Sequence, residues 1–222
     1  VINKLYHEDW QETVKRINPH SVDLIIADPP YGMEFRSNHR YERYDPIHND
    51  NNLDWLGEWV WECQRIMKNN THLYCFCSFH NVDIFKKELS EWLIVKNILI
   101  WEKNNTSMGD LEGDYAPKYE MIIFCVKGKR KLNGRRDSNI IYSQRTQNKL
   151  HPTQKPTKLI RYLVGKSTEE GDIVYDPFMG SGTTAIACIR EKRNWIGSEI
   201  NIQYVNTAND RINVELNQLT LF

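Results

Sequence analysis

Long apolar runs are missing from these 222 residues. Nothing approaches the roughly 20 consecutive apolar residues that a bilayer-crossing helix needs, and mean hydropathy is -0.63. The first residues, Val1-Ile2-Asn3-Lys4-Leu5, lack the basic-then-apolar pattern of a secretory signal. A cytoplasmic protein with no membrane partner is the expectation. Paired cysteines are missing too. Cys63, Cys75, Cys77, Cys125 and Cys188 are odd in number and form no Cys-x-x-Cys pair, which argues against a disulfide framework or a zinc knuckle. Cys75, Cys77 and Cys125 lie in apolar runs, where reduced cysteine packs as a small core residue. The histidines show no ligand spacing, so no metal is expected. A phosphate-binding P-loop is also absent: Gly165-Lys166-Ser167 has the right ending, but Ile160 stands where the earlier glycine is required.

Net charge is absent as well, with 29 basic and 29 acidic residues. The distribution is uneven. Twelve Lys or Arg and a single acid, Asp137, fall between Lys127 and Thr168, leaving 17 basic against 28 acidic residues elsewhere. A basic face on an acidic body attracts a polyanion through its local field. The competing reading is a solvated loop.

What is present is enough apolar residue, 40% against 26% charged, to build one core in a single domain over 1–222. Apolar runs alternate with helix-like stretches, as in an α/β fold with a mainly parallel sheet. The pattern predicts strands at Asn3 to His7, Val22 to Ala27, His72 to Cys77, Leu93 to Trp101, Tyr119 to Val126, Ile173 to Tyr175 and Trp195 to Glu199. Helices are predicted at Asp9 to Ile17, Asp54 to Lys68, Val82 to Leu89, Thr157 to Lys166, Thr183 to Lys192 and Tyr204 to Leu216.

Two strand-end motifs carry chemistry. Gly180-x-Gly182-x-x-Ala185 lies between a strand and a helix, and Glu199 ends the next strand, 17 residues after Gly182. Glycines permit a tight turn and close approach of a ligand, and a carboxylate at that distance can accept both hydroxyls of an adenosine ribose. A nucleoside cofactor follows, although a nicotinamide enzyme would show the same features. The second motif is Asp28-Pro29-Pro30-Tyr31. A carboxylate, a carbonyl on a rigid backbone and an aromatic ring suit a planar amine: Asp28 and Pro29 accept its two hydrogens, and Tyr31 stacks on its ring.

Asp28-Pro29-Pro30-Tyr31-Gly32, then His151-Pro152-Thr153-Gln154-Lys155-Pro156, then Asp176-Pro177-Phe178-Met179-Gly180-Ser181-Gly182-Thr183-Thr184 resembles the β group of DNA amino-methyltransferases, over about Asn3 to Arg211. The resemblance implies a Rossmann-like, seven-strand, mostly parallel sheet with helices on both faces, Tyr119 to Val126 being the one antiparallel strand. It implies S-adenosylmethionine as cofactor. Asp28, Asp176, Phe178, Gly180, Gly182 and Thr183 would border it, Glu199 would take its ribose, Asp9 would face its adenine, and Lys155 would pair with its methionine carboxylate. The expected reaction is site-specific, in-line methyl transfer to the N6 amine of a flipped-out adenine in double-stranded DNA, with Asp28, Pro29, Pro30 and Tyr31 as the catalytic set. His151 is given a structural role rather than that of a base. DNA contact is expected from a lid-like loop over 32–52, with Arg36, Arg40 and Arg43, and from a short basic target-recognition insertion over 127–150, with Lys129, Arg130, Lys131, Arg135 and Arg136. A second copy of the chain and a cognate restriction nuclease are the other candidate partners. Cytosine-N4 methylation stays open as an alternative, with Asp28 favouring adenine. A nicotinamide-dependent oxidoreductase and a non-catalytic DNA-binding module are the more remote readings.

Overall fold

A computed structural model describes residues 2–30, 53–106, 112–146 and 154–219. In chain order the elements are β1 (Lys4–Tyr6), α1 (Trp10–Lys15), β2 (Val22–Ala27), α2 (Leu56–Ile66), β3 (Met67–Cys77), α3 (Val82–Trp92), β4 (Ile94–Glu102), β5 (Tyr119–Lys127), β6 (Ile140–Tyr142), α4 (Thr157–Ser167), β7 (Ile173–Asp176), α5 (Thr183–Arg190), β8 (Asn194–Ser198) and α6 (Ile202–Leu219).

The strands form one sheet in the order β1-β8-β7-β2-β3-β5-β4-β6. All neighbours pair in parallel except β5, which runs antiparallel to both β3 and β4. The sheet therefore has eight strands among the described residues rather than the expected seven. The extra strand is β6, three residues beside β4 (Ile100↔Ile140 to Glu102↔Tyr142), inside the segment expected to be a recognition insertion. It is too short for its alternation to be read from sequence.

Alternation along the central strands feeds two cores. Leu73, Cys75 and Cys77 of β3 with Ile123 and Cys125 of β5 pack beneath α1, α2 and α3. Tyr74 and Phe76 with Ile122 and Phe124 face α4, α5 and α6. The result is a three-layer α/β/α sandwich, its central strands buried on both sides as parallel sheets require. All five cysteines are buried and free, four of them in the first core. Ser167, the end of the P-loop look-alike, is buried between sheet and helix. Its hydroxyl hydrogen-bonds His72 Nδ1 at 2.9 Å and the Tyr74 hydroxyl at 2.8 Å. Burial holds His72 down to about 4, so this imidazole is a neutral packing group. Among the described residues no helix is long and apolar enough to cross a membrane.

The strand order reverses beside β2. From β2 the chain moves to β3 on one side, and it later returns through β7 to β8 on the other. The carboxyl ends of β2 and β7 thus flank a topological switch point, where sheets of this kind usually offer a ligand crevice.

Candidate active site

Both sequence motifs lie on the lips of that crevice. Leu24 and Ile25 of β2 are level with Val174 and Tyr175 of β7, so Asp28 leaves the sheet beside the Asp176-Pro177-Phe178 turn. Asp176 is level with Gly197, and Tyr6 with Ser198, which brings Glu199 and Asp9 to the same end. The side chain of Asp28 is 26% exposed, neither sealed in the core nor fully solvated.

The glycine-rich turn is closed by its own carboxylates. Asp176 Oδ1 accepts from the Phe178 amide at 3.0 Å, and Oδ2 from the Thr184 hydroxyl at 2.5 Å. Burial, with added repulsion from Asp28 and Glu199, pushes Asp176 up from the ordinary 3.8 to about 7. Glu199 Oε2 accepts from the Gly180 amide at 2.9 Å, and Oε1 from the Asn201 amide at 2.8 Å. Burial raises Glu199 above its ordinary value, against the pull of these backbone donors. A carboxylate has about four acceptor positions, so each Glu199 oxygen keeps capacity for a ligand hydroxyl.

The two glycines do different work. Gly180 has φ of +52°, and a Cβ there would meet only the Phe178 carbonyl at 4.0 Å, so the space above it is open. Gly182 has φ of +82°, and a Cβ there would press on Ala208 at 3.0 Å from its Cβ. Gly180 thus leaves room for a ligand, while Gly182 lets α5 close on α6. Their amides are spent inside the turn, Gly180 on Glu199 and Gly182 on the Met179 carbonyl at 3.0 Å. Thr183, beside them, is buried at the first turn of α5.

Lys155, expected on a cofactor carboxylate, is engaged by two carboxylates of the chain itself. Its Nζ lies 2.6 Å from Asp28 Oδ2 and 3.1 Å from Glu120 Oε2. Glu120 in turn pairs with Lys103 at 2.8 Å. Burial lowers the Lys155 ammonium, but the two carboxylates outweigh it and leave its pKa above the ordinary lysine value. For Glu120, burial is outweighed by Lys155 and Lys103, and its pKa falls. Neither Glu120 nor Lys103 is marked by a motif. Only the antiparallel passage of β5 beside β3 and β4 brings them to this end.

Phe178 meets an aromatic wall. Its ring lies 5.8 Å from Trp55 and 6.1 Å from Trp59, and Trp55 lies 6.4 Å from Trp10. The buried Trp59 Nε1 has no hydrogen-bond partner. Asp9 caps the helix carrying Trp10, its Oδ1 accepting from the Gln11 amide at 2.9 Å. Spacing marks Trp55 and Trp59 as one helix face, but their convergence on Phe178 requires the fold.

A DNA methylase family model matches residues 22–210, nearly the whole chain. The chain belongs to the DNA methylase family. This DNA methylase is 30% identical over 233 aligned residues to the Type II methyltransferase M.HpaI of Haemophilus parainfluenzae, covering 93% of this chain and 73% of that one. It is 28% identical to the DNA adenine methyltransferase YhdJ of Escherichia coli (strain K12), covering 95% and 82%. Among solved structures, the M1.HpyAVI-SAM complex superposes with a TM-score of 0.73 at 29% identity, covering 94% of this chain and 98% of that one.

The basic segment of this DNA methylase is not at the crevice. Because β5 runs antiparallel, Lys127 is level with Thr71 near the start of β3, at the opposite end of the sheet from Asp28. The Lys129 amide bonds Asn70 Oδ1 at 2.8 Å, and Lys166, in the last turn of α4, holds the Arg135 carbonyl at 2.8 Å. Lys129, Lys131, Arg135 and Arg136 are exposed there, and Arg130 is half-buried with its Nε unpartnered. The structure therefore does not join these five residues to the site. The crevice end carries other groups that sequence reasoning passed over: Phe79, Tyr115, Tyr119 and Tyr142 are exposed, and the Arg145 amide is held by Asn104 Oδ1 at 2.9 Å just past β4. Tyr31, Arg36, Arg40 and Arg43, the rest of 32–52, and His151 lie outside the described residues.

Proposed function

We propose that this chain transfers a methyl group to the N6 amine of an adenine extruded from double-stranded DNA, with S-adenosylmethionine as donor. The observation that carries the reading is the placement of Asp28 on one lip of the switch-point crevice, facing a glycine turn closed by Glu199 on the other. The donor supplies an electrophilic methyl on a sulfonium. The residues present fit it. The open space over Gly180 admits its chain, the spare acceptor capacity of Glu199 suits two ribose hydroxyls, and the Phe178–Trp55 wall offers apolar cover.

An exocyclic amine conjugated to adenine is a weak nucleophile. By accepting its two hydrogens, the Asp28 carboxylate and the Pro29 carbonyl favour a tetrahedral nitrogen and localise the lone pair. The rest is positioning and electrostatics. The C–S bond breaks as the N–C bond forms, and the methylated nitrogen releases its proton to solvent. Extruding the base costs a few kcal/mol, and stacking on Tyr31 returns about 1–3 kcal/mol. Pro30 fixes the backbone between the two. Adenine rather than cytosine-N4 is supported by the aspartate at position 28 and by the adenine specificity in the name of YhdJ.

Phosphate contact falls to the crevice rim, to Arg145 and the exposed tyrosines, together with Arg36, Arg40 and Arg43 of 32–52. The segment 127–150 keeps a recognition role only through its last residues. A second copy of the chain and a cognate nuclease remain candidate partners, the latter because relatives are named as Type II methyltransferases. The test is incubation with labelled S-adenosylmethionine and plasmid DNA, followed by nucleoside mass spectrometry. N6-methyladenine is expected. N4-methylcytosine would move the chain to the alternative, and no methylated base would refute the proposal.

A further inference from the structure

Four charges of alternating sign run along the carboxyl end of the sheet: Lys103, Glu120, Lys155 and Asp28. They come from the residue after β4, from β5, from the residue before the α4 cap and from the residue after β2. Lys155 is the pivot. Its side chain is 9% exposed, and its ammonium sits 5.0 Å from the centre of the Phe76 ring. A lysine is ordinarily a flexible point charge. Here the stem is packed and the head is gripped by two carboxylates, so its freedom is gone.

We propose that Lys155 is a positioning residue for methyl transfer: anchored by Glu120, its ammonium fixes the plane of the Asp28 carboxylate that receives the target amine. The inference rests on the reading that Asp28 accepts an amino hydrogen. A carboxylate accepts several hydrogen bonds, so the contact at Oδ2 orients the group without exhausting its acceptor capacity. Glu120 is needed because a lone lysine at Asp28 could swing with it. Lys103, itself buried and 5.3 Å from the Trp101 ring centre, keeps Glu120 from following Lys155. The row is thus a brace from the ends of β4 and β5 to the one carboxylate whose angle sets the chemistry.

This role and the one expected from sequence, a grip on the methionine carboxylate of the cofactor, separate cleanly by experiment. Lys155→Met, Lys155→Arg and Glu120→Gln are made in the full chain. Affinity for S-adenosylmethionine and for a duplex carrying the mapped site is measured by titration, and kcat at saturating cofactor. Lys155→Met is expected to lower kcat on the order of 10²-fold while both affinities stay unchanged, and Lys155→Arg to recover part of the loss. Glu120→Gln should give a smaller fall in kcat, again without weaker binding. Weakened cofactor binding with kcat retained at saturation would overturn the proposal in favour of the carboxylate grip. So would an undiminished kcat in Lys155→Met. Should Lys155→Met fail to fold by thermal melting, Glu120→Gln decides alone, an unchanged kcat refuting the brace. A wild-type chain that binds the cofactor yet methylates no DNA would instead sink the functional reading, and the brace with it.

Discussion

Asp28 and Asp176 end adjacent strands, yet their surroundings give them opposite tasks. Asp28 is half open and held by a cation; Asp176 is buried and held by a hydroxyl and an amide. Replacing Asp28 with Ala should cut kcat by at least 10²–10³, about the cost of losing one preorganised hydrogen-bonding partner, while gel-shift affinity for DNA persists. Loss of DNA binding in step with activity would argue for a structural role. Asp176 predicts a pH effect on stability. Burial raises its pKa from 3.8 to about 7, so the folded chain keeps this proton over a range where the unfolded chain has released it. Its contribution is therefore full below about pH 4, declines as pH rises, and is lost above about 7. Asp176→Asn, which stays neutral, should flatten the fall in Tm between pH 5 and 8 relative to wild type in the absence of ligand. An unchanged slope would show that Asp176 is already ionised in the folded chain.

The elements were largely legible because their periodicities are strong. Val22 to Ala27 is a continuous apolar run around Asp23 and became a strand buried along its whole length. Asp54 to Lys68 shows helical spacing and became α2, shortened because Met67 and Lys68 already belong to β3. The glycine motif was legible as a turn, but the division of labour within it was not. That Gly182 faces Ala208 depends on α6 folding back across α5. Gly182→Ala should therefore destabilise the fold by about 1–3 kcal/mol through overpacking, with added strain from its positive φ, as read by urea unfolding. Gly180→Ala should cost less stability and more cofactor affinity. Equal effects on stability would remove the distinction. The aromatic wall was half legible: helical spacing aligned Trp55 with Trp59, while Trp10 and Phe178 join them only through tertiary packing.

For the whole molecule, strand direction decides what charge means. The sequence places twelve cations between Lys127 and Thr168, but composition cannot say at which end of the sheet they emerge. The reversal of β5 sends Lys129, Lys131, Arg135 and Arg136 to the end away from Asp28, and the short β6 carries the chain back toward Arg145 and Lys155. The partners of Lys155 were illegible for the same reason: Glu120 and Lys103 lie 35 and 52 residues away in sequence. Neutralising Lys129 and Lys131 together should leave KM for DNA and its salt dependence nearly unchanged. Arg145→Ala should raise that KM and reduce the salt slope by about one. The reverse pattern would relocate the duplex to the far end.

The excursion between β5 and β6 has a practical corollary. Between Gly128 and Asn139 the backbone starts at the distal pole, where β5 ends, and returns toward the crevice end at β6. A peptide spliced into that span, for example an epitope at Arg136, would sit about a strand's length from the methyl-transfer centre. Turnover should tolerate such cargo there far better than the same graft placed after Tyr142.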